Sequence, residues 1–148
     1  QVTQEAYDNG DYIFVAMDRH DEGDTFHPET KLFPPHNIAG TSGRELYGKL
    51  AGVYDAIKDD NRVFWMDKRH YSAFSGTDLD IRLRERRVTT VVLTGVLTDI
   101  CVLHTAIDAY NLGYDIEVVE SATASLTPEA HDFAIGHFKN VLGATIVE

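Results

Sequence analysis

Two scarcities stand out in this 148-residue chain: one cysteine, Cys101, and no apolar run near the roughly 18 residues that a membrane-spanning helix needs. A lone cysteine excludes a disulfide within the chain, which is typical of proteins in a reducing compartment. A secretory signal pattern is also lacking. We therefore expect a soluble, cytoplasmic protein with no membrane as partner.

Basic residues are few as well, with 13 Lys and Arg against 24 Asp and Glu and a formal net charge of −11. Such an excess of negative charge excludes nucleic acid and anionic membranes as natural partners. The hydrophobic content of 43% excludes disorder. The length predicts a single domain over residues 1–148.

Short apolar runs alternate with helical patterns along the chain, which predicts an α/β fold with a mainly parallel sheet. The predicted strands are Tyr12–Met17, Val63–Met66, Thr90–Leu93, Ile116–Val119 and Ala144–Val147. The predicted helices are Gly43–Lys58, Asp78–Arg87, Ile100–Leu112 and Glu129–Leu142. Helices on both faces would make a three-layer, doubly wound architecture.

Cys101 follows the strand at Thr90, and the pattern predicts that it lies in the first turn of a helix. Unpaired backbone N–H groups and the helix dipole favour a thiolate at such a position. Active sites of open α/β sheets also lie at this end of the strands. Taken alone, however, a lone cysteine is more often a buried structural residue.

The stretch from Asp18 to Thr41 has little helical or strand pattern, and unstructured stretches of about 24 residues inside a domain are usually functional. It opens with Asp18 and His20, and a stiff Pro-Pro turn leads to His36. Imidazoles with carboxylates suit Zn²⁺, Mn²⁺ or Fe²⁺. Two alternatives stay open in the sequence: His27 in place of His36, and Glu22 in place of Glu29.

Lys68 directly follows the strand at Val63, so it is predicted to emerge at the carboxyl edge of the sheet. A lysine near a thiol lowers the pKa of that thiol and stabilises developing negative charge. A solvated polar turn made of Lys68, Arg69 and His70 is the alternative.

Three segments together resemble the nicotinamidase branch of the isochorismatase-like cysteine hydrolases. They are Asp18-x-His20 with Phe33-Pro34-Pro35-His36-x-x-x-Gly40-Thr41, Lys68 after its strand, and Gly95-Val96-Leu97-Thr98-Asp99-Ile100-Cys101-Val102. The resemblance extends from Tyr12 to Val147. It implies hydrolysis of nicotinamide to nicotinate and ammonia through a cysteine thioester, as a step in NAD salvage.

The resemblance also implies a role for each matching residue. Cys101 is the expected nucleophile, Lys68 the second catalytic residue and Leu97 an oxyanion donor through its backbone N–H. The expected metal ligands are Asp18, His20, Glu29 and His36, for one divalent ion per chain, Zn²⁺ first and Mn²⁺ or Fe²⁺ as alternatives. The expected substrate contacts are Phe33, Tyr71 and Val96. A cis peptide bond is expected at Val96–Leu97.

One family feature has no match in the sequence. The family's first strand ends in an aspartate that acts as general base, and neither Asp11 nor Asp67 fits that position. We therefore expect the intact protein to carry about 25–30 further residues, enough for a strand, a loop and most of a helix. If that strand is absent, the sheet is expected to split between the strands at Tyr12 and Thr90.

The leading interpretation is a metal-dependent nicotinamidase, with nicotinamide or pyrazinamide as substrate and a homo-oligomeric assembly. A hydrolase of another amide or of isochorismate is the alternative within the same fold. A non-catalytic metal-binding module is the alternative from a different class. A structural zinc module would instead close four ligands around the ion and unfold on chelation.

Overall fold

The computed structural model describes residues 1–148, which form two compact units, Gln1–Arg69 and His70–Glu148. We call these the N-terminal and C-terminal units and describe each by itself. Both are built from parallel strands and helices, so the predicted α/β fold is confirmed.

The N-terminal unit contains helices α1 (Val2–Asp8) and α2 (Lys49–Ile57) and strands β1 (Ile13–Asp18) and β2 (Val63–Lys68). The two strands pair in parallel, with Ile13 opposite Val63 and Asp18 opposite Lys68. Phe14 and Phe64 lie side by side in this register, and their rings stack at 4.7 Å. This pairing brings the carboxyl ends of both strands to one edge, where Asp18 meets Lys68.

The C-terminal unit contains strands β3 (Thr90–Val96), β4 (Asp115–Ala124) and β5 (Thr145–Val147) in one parallel sheet. Helix α3 (Leu79–Glu85) precedes β3, helix α4 (Leu103–Asn111) connects β3 to β4, and helix α5 (Pro128–Asn140) connects β4 to β5. Val118 of β4, Ala106 of α4 and Phe138 of α5 are fully buried, which places the core of this unit between the sheet and its helices. Thr127 caps α5 by accepting a hydrogen bond from the Ala130 N–H, as the Thr-Pro start predicts.

The strands form two separate sheets, β1-β2 and β3-β4-β5. The single continuous sheet of a doubly wound fold is therefore not present in residues 1–148. The expected split between the strands at Tyr12 and Thr90 is confirmed. No helix of the structure is both long and apolar enough to cross a bilayer.

Two helix predictions begin too early. The helix predicted over Gly43–Lys58 begins only at Lys49, because the 3₁₀ turn Ser42–Arg44 ends at the extended Glu45 and Gly48 adopts φ 60° and ψ −137°, which is not helical. The helix predicted from Ile100 begins at Leu103 and is preceded by a π-helical turn over Thr98–Val102. Cys101 therefore lies in this wider turn and not in the first turn of α4.

Candidate active site

The ligand-type side chains of Asp18, His20 and His36 converge in the N-terminal unit, with one ligating atom of each within 4.8 Å of the others. Asp18 ends β1, and His20 follows two residues later. His20 forms an isolated parallel bridge with Ile38, in which its N–H donates to the Asn37 carbonyl at 3.1 Å. That bridge returns the loop to the sheet edge and sets His36 beside the first two residues.

The Glu29 carboxylate faces both imidazoles. Its Oε2 lies 3.4 Å from Nε2 of His36 and 3.7 Å from Nε2 of His20, and its side chain is 8% exposed. Nδ1 of His36 lies 2.9 Å from the Pro34 carbonyl, so Nδ1 carries the proton and a neutral His36 turns a lone pair toward Glu29. A divalent cation beside these two atoms would accept a lone pair from each of them.

His20 is 9% exposed, and its Nε2 has no hydrogen-bond partner. Burial is the main cause that lowers the pKa of His20, which favours the neutral imidazole with a lone pair, while Glu29 acts in the opposite direction. A buried polar atom without a partner costs about 1–3 kcal/mol. A divalent cation would satisfy this nitrogen, so the residues present fit a metal ion.

The separation of Glu29 and His36 agrees with two ligands of one ion. Two atoms that each lie about 2.1 Å from a tetrahedral ion are about 3.4 Å apart. The Glu29–His36 distance of 3.4 Å has this size. Phe33 and Pro34 line the pocket that contains these side chains.

The alternatives left open by the sequence differ sharply in structure. Both ring nitrogens of His27 face hydrogen-bond partners, Nε2 the Arg69 carbonyl and Nδ1 the Glu29 N–H, so neither is available to an ion. Glu22 is exposed, whereas Glu29 is 6% exposed. The geometry therefore favours His36 and Glu29 as ligands.

Lys68 is 5% exposed and donates from Nζ to Oδ1 of Asp18. A buried ammonium requires such a carboxylate partner. The interpretation of Lys68 as part of a solvated turn is therefore wrong, although Arg69 and His70 are exposed as that interpretation expects. Asp67 is also engaged, by Arg44, by Trp65 Nε1 at 2.9 Å and by Arg19. Asp11 is exposed, so neither aspartate stands in for the missing base.

In the C-terminal unit, the end of β3 leads into the turn that carries Cys101. Gly95 adopts φ 116°, and the Val96–Leu97 peptide is cis, as the resemblance implies. The Leu97 carbonyl accepts hydrogen bonds from the N–H groups of Ile100 (3.2 Å) and Val102 (3.1 Å). The bond from Val102, which spans five residues, closes the π-helical turn. Cys101 lies half-buried within it.

Two side-chain hydrogen bonds connect this turn to later residues of the C-terminal unit. Thr98 is fully buried, and its Oγ1 lies 3.0 Å from Nδ1 of His131 on α5. Asp99 accepts a hydrogen bond from Ser125 at 2.7 Å. Sequence reasoning missed these partners because His131 and Ser125 are more than 20 residues away and belong to no motif near Cys101.

The two aromatic residues predicted to contact substrate lie in different units. The Phe33 ring lies 6.1 Å from the His36 ring, in an edge-to-face arrangement. The Tyr71 ring lies 5.1 Å from that of His104 in the C-terminal unit. Val96, the third predicted substrate contact, is 65% exposed at the end of β3. Their roles in binding stay predictions.

Comparison with known proteins identifies the fold. The Isochorismatase domain family matches residues 2–147. The chain belongs to the isochorismatase family. This agrees with the resemblance of the three sequence segments and with the parallel α/β units.

Solved structures of this family resemble the chain closely. The pyrazinamidase/nicotinamidase of Streptococcus mutans UA159 is 80% identical, covers 99% of this chain and 81% of its own, and superposes with a TM-score of 0.98. The nicotinamidase/pyrazinamidase PncA of Bacillus subtilis is 54% identical over 99% of this chain and 80% of its own, with a TM-score of 0.97. The pyrazinamidase of Pyrococcus horikoshii in complex with zinc is 28% identical over 98% and 79% of the two chains, with a TM-score of 0.83.

Proposed function

We propose that this isochorismatase-family protein hydrolyses nicotinamide, and pyrazinamide as an analogue, to the acid and ammonia in a metal-assisted reaction. Its relatives support an enzyme that hydrolyses an amide. The observation that carries the proposal is the convergence of Asp18, His20 and His36 with Glu29 facing both imidazoles. The product nicotinate would return to NAD synthesis.

In the proposed reaction, the Cys101 thiolate attacks the amide carbonyl carbon and forms a C–S bond. The carbonyl oxygen becomes an oxyanion, which accepts hydrogen bonds from the backbone N–H groups of Leu97 and Cys101. The C–N bond then breaks, and the nitrogen takes a proton and leaves as ammonia. Water attacks the thioester and the C–S bond breaks. One water proton passes to the leaving sulfur and the other restores the proton that Lys68 gave to ammonia, so that the carboxylate product and the thiol are released.

Lys68 is the proposed second catalytic residue. Its ammonium would stabilise the thiolate and assist proton delivery to the leaving nitrogen. The buried contact with Asp18 supports a charged lysine that does not exchange freely with solvent. Phe33, Tyr71 and Val96 are the proposed contacts of the substrate ring.

Asp18, His20, Glu29 and His36 would hold the divalent ion, with Zn²⁺ as the first choice for two imidazoles and carboxylates. When bound, the ion supplies a positive charge that orients the pyridine ring and withdraws electron density from it. His36 supports this assignment, because its Nδ1–H is fixed by the Pro34 carbonyl and its Nε2 is left for a ligand.

Ammonia release from nicotinamide by the full-length protein, with and without a chelator, tests the proposal. We expect turnover that chelation removes and added Zn²⁺ restores. Turnover that persists after complete metal removal would contradict metal assistance and favour a related cysteine hydrolase. Absence of turnover by protein loaded with stoichiometric metal would favour a binding module or another substrate.

A further inference from the structure

His27 is a buried histidine that the proposed reaction does not use. It is 6% exposed and immediately precedes a short 3₁₀ turn, Pro28–Lys31, which contains Glu29 at its second position. The φ and ψ of His27 are −65° and 131°, the extended conformation of a residue that caps a helical turn. It lies two residues before Glu29 and so adjoins the candidate metal ligands.

The two ring nitrogens of His27 have different and complementary tasks. Nδ1 accepts a hydrogen bond from the Glu29 N–H at 3.3 Å. Nδ1 therefore has a lone pair, and in the neutral ring Nε2 carries the proton, which it donates to the Arg69 carbonyl. One imidazole thus joins the backbone of Glu29 to the end of β2.

Arg69 strengthens the same attachment with its side chain. Its guanidinium donates to Oδ2 of Asp21 and to Oδ2 of Asp24, each at 2.7 Å. Asp24 in turn accepts from the Phe26 N–H at 3.0 Å. Arg69, the residue that follows β2, therefore holds the loop before Glu29 in two ways. Its side chain donates to Asp21 and Asp24, and its carbonyl accepts from His27.

The His27 ring also contacts a predicted ligand. It meets the His20 ring edge-to-face with the ring centres 4.8 Å apart. Glu29 Oε2 lies between Nε2 of His20 and Nε2 of His36, at 3.7 and 3.4 Å. Because an exposed loop samples many conformations, an acidic side chain stays in such a position only when its backbone is fixed.

We propose that His27 is a positioning residue: its Nδ1 fixes the Glu29 backbone, and so aims the Glu29 carboxylate at the ion bound by His20 and His36. The inference rests on the metal site of the proposed function. Partners that orient metal ligands typically contribute about 10–100-fold to metal affinity. His27 acts through Glu29 and does not itself touch the ion.

Zinc affinity, measured by competition with a chromogenic chelator, tests this proposal without reference to turnover. We expect His27→Ala to lower affinity about 10–100-fold. In a Glu29→Gln background, His27→Ala should change affinity less than about threefold, because the residue through which it acts is already weakened. Equal effects in both backgrounds would overturn the proposal.

Two single variants distinguish the hydrogen bond accepted by Nδ1 from the packing of the ring against His20. His27→Asn keeps an acceptor for the Glu29 N–H, and Asn is a favoured capping residue, so we expect most of the zinc affinity to remain. His27→Phe keeps a ring against His20 but offers no acceptor, so we expect a loss close to that of His27→Ala. The opposite order would assign His27 a packing role only and overturn the proposal.

His137→Ala is the matched control, since this half-buried histidine of α5 lies in the other unit and contacts the Phe133 ring. Its zinc affinity should equal that of the unmodified protein. Failure of the unmodified protein to bind zinc would overturn the metal site itself and this inference with it. Binding by the unmodified protein with unchanged affinity in His27→Ala would overturn this inference alone.

Discussion

The two units of this protein differ in whether the polar groups of their candidate site residues have hydrogen-bond partners. In the N-terminal unit, Nε2 of the buried His20 has no hydrogen-bond partner, and Glu29 Oε2 lies 3.4 Å from Nε2 of His36. In the C-terminal unit, the turn around Cys101 is closed by its own hydrogen bonds, with Thr98 on His131 and Ser125 on Asp99. The first arrangement fits a bound cation, whereas the second fixes the backbone around the proposed nucleophile.

The units also differ in what gives the site its shape. The loop between Asp18 and Thr41 carries the candidate metal ligands and has one bridge and one short 3₁₀ turn. Because its backbone makes few regular contacts, hydrogen bonds of Arg69 and His27 define its path. The Cys101 turn is shaped by backbone conformation, from Gly95 at φ 116° to the π-helical turn. We infer that substitutions in the loop affect metal binding first, and substitutions in the turn affect chemistry or stability first.

The largest expected effect comes from Cys101→Ala. Removing the proposed nucleophile should lower kcat by about 10⁴-fold or more while the zinc content stays that of the unmodified protein. Ammonia release and metal analysis on the same sample measure both quantities. Retained turnover would show that Cys101 is not the nucleophile, and lost zinc would break the division of roles between the units.

His36→Ala should affect metal binding before chemistry. Loss of a direct ligand should reduce zinc affinity by more than the roughly 100-fold typical of outer partners, and KM should rise even with Zn²⁺ bound, because an ion held by fewer residues orients the substrate less well. Chelator competition and Michaelis kinetics at saturating Zn²⁺ provide the two measurements. Glu22→Ala is the control, because Glu22 is an exposed acid of the same loop. Equal losses in both variants would exclude His36 from the ligand set.

Thr98→Val should lower stability without changing zinc affinity. The substitution removes a fully buried hydroxyl and leaves Nδ1 of His131 without its partner, at a cost of about 1–3 kcal/mol. Thermal unfolding monitored by circular dichroism measures the effect. Thr145→Val, at an exposed position of β5, is the control. An unchanged melting temperature in Thr98→Val would show that this hydrogen bond does not secure the turn.

The smallest effects concern pH and differ between the units. The Tyr7 hydroxyl lowers the pKa of Asp60 to about 2, whereas burial and then the Asp80 hydrogen bond raise the pKa of Tyr114 to about 12. The Asp60 contribution is complete above its ordinary pKa near 3.8 and is lost as pH falls toward 2. The Tyr114 contribution is complete below 10 and is lost as pH rises toward 12.

Variants of the two tyrosines check these pH windows. Tyr7→Phe should weaken the loss of stability between pH 4 and 2, and Tyr114→Phe should weaken the loss between pH 10 and 12. Denaturant unfolding at each pH measures stability, and tyrosinate absorbance follows the phenol directly. A Tyr114 phenol that titrates near pH 10 would contradict the buried hydrogen bond to Asp80.

Particular residues show which features of the fold and the candidate site could be predicted from sequence patterns. The parallel strands, the capped start of α5 and the grouping of Asp18, His20 and His36 were all predictable, because each depends on local periodicity, a local cap or a short motif. The start of α2 was missed because the extended Glu45 and the non-helical conformation of Gly48 interrupt the segment despite its apolar spacing. The π-helical turn was missed because it depends on a hydrogen bond from the Val102 N–H to the Leu97 carbonyl, five residues back, which apolar periodicity does not encode.

The sequence by itself determined the proposed class of chemistry: the residue types at Asp18, His20, His36, Lys68 and Cys101 supply the candidate ligands and the candidate nucleophile. Only the tertiary structure distinguishes His36 from His27, and Glu29 from Glu22, as candidate ligands. The physical reason is that an imidazole or carboxylate binds an ion only when its lone pairs are not already used. The structure shows that both nitrogens of His27 are engaged, whereas Nε2 of His20 is not.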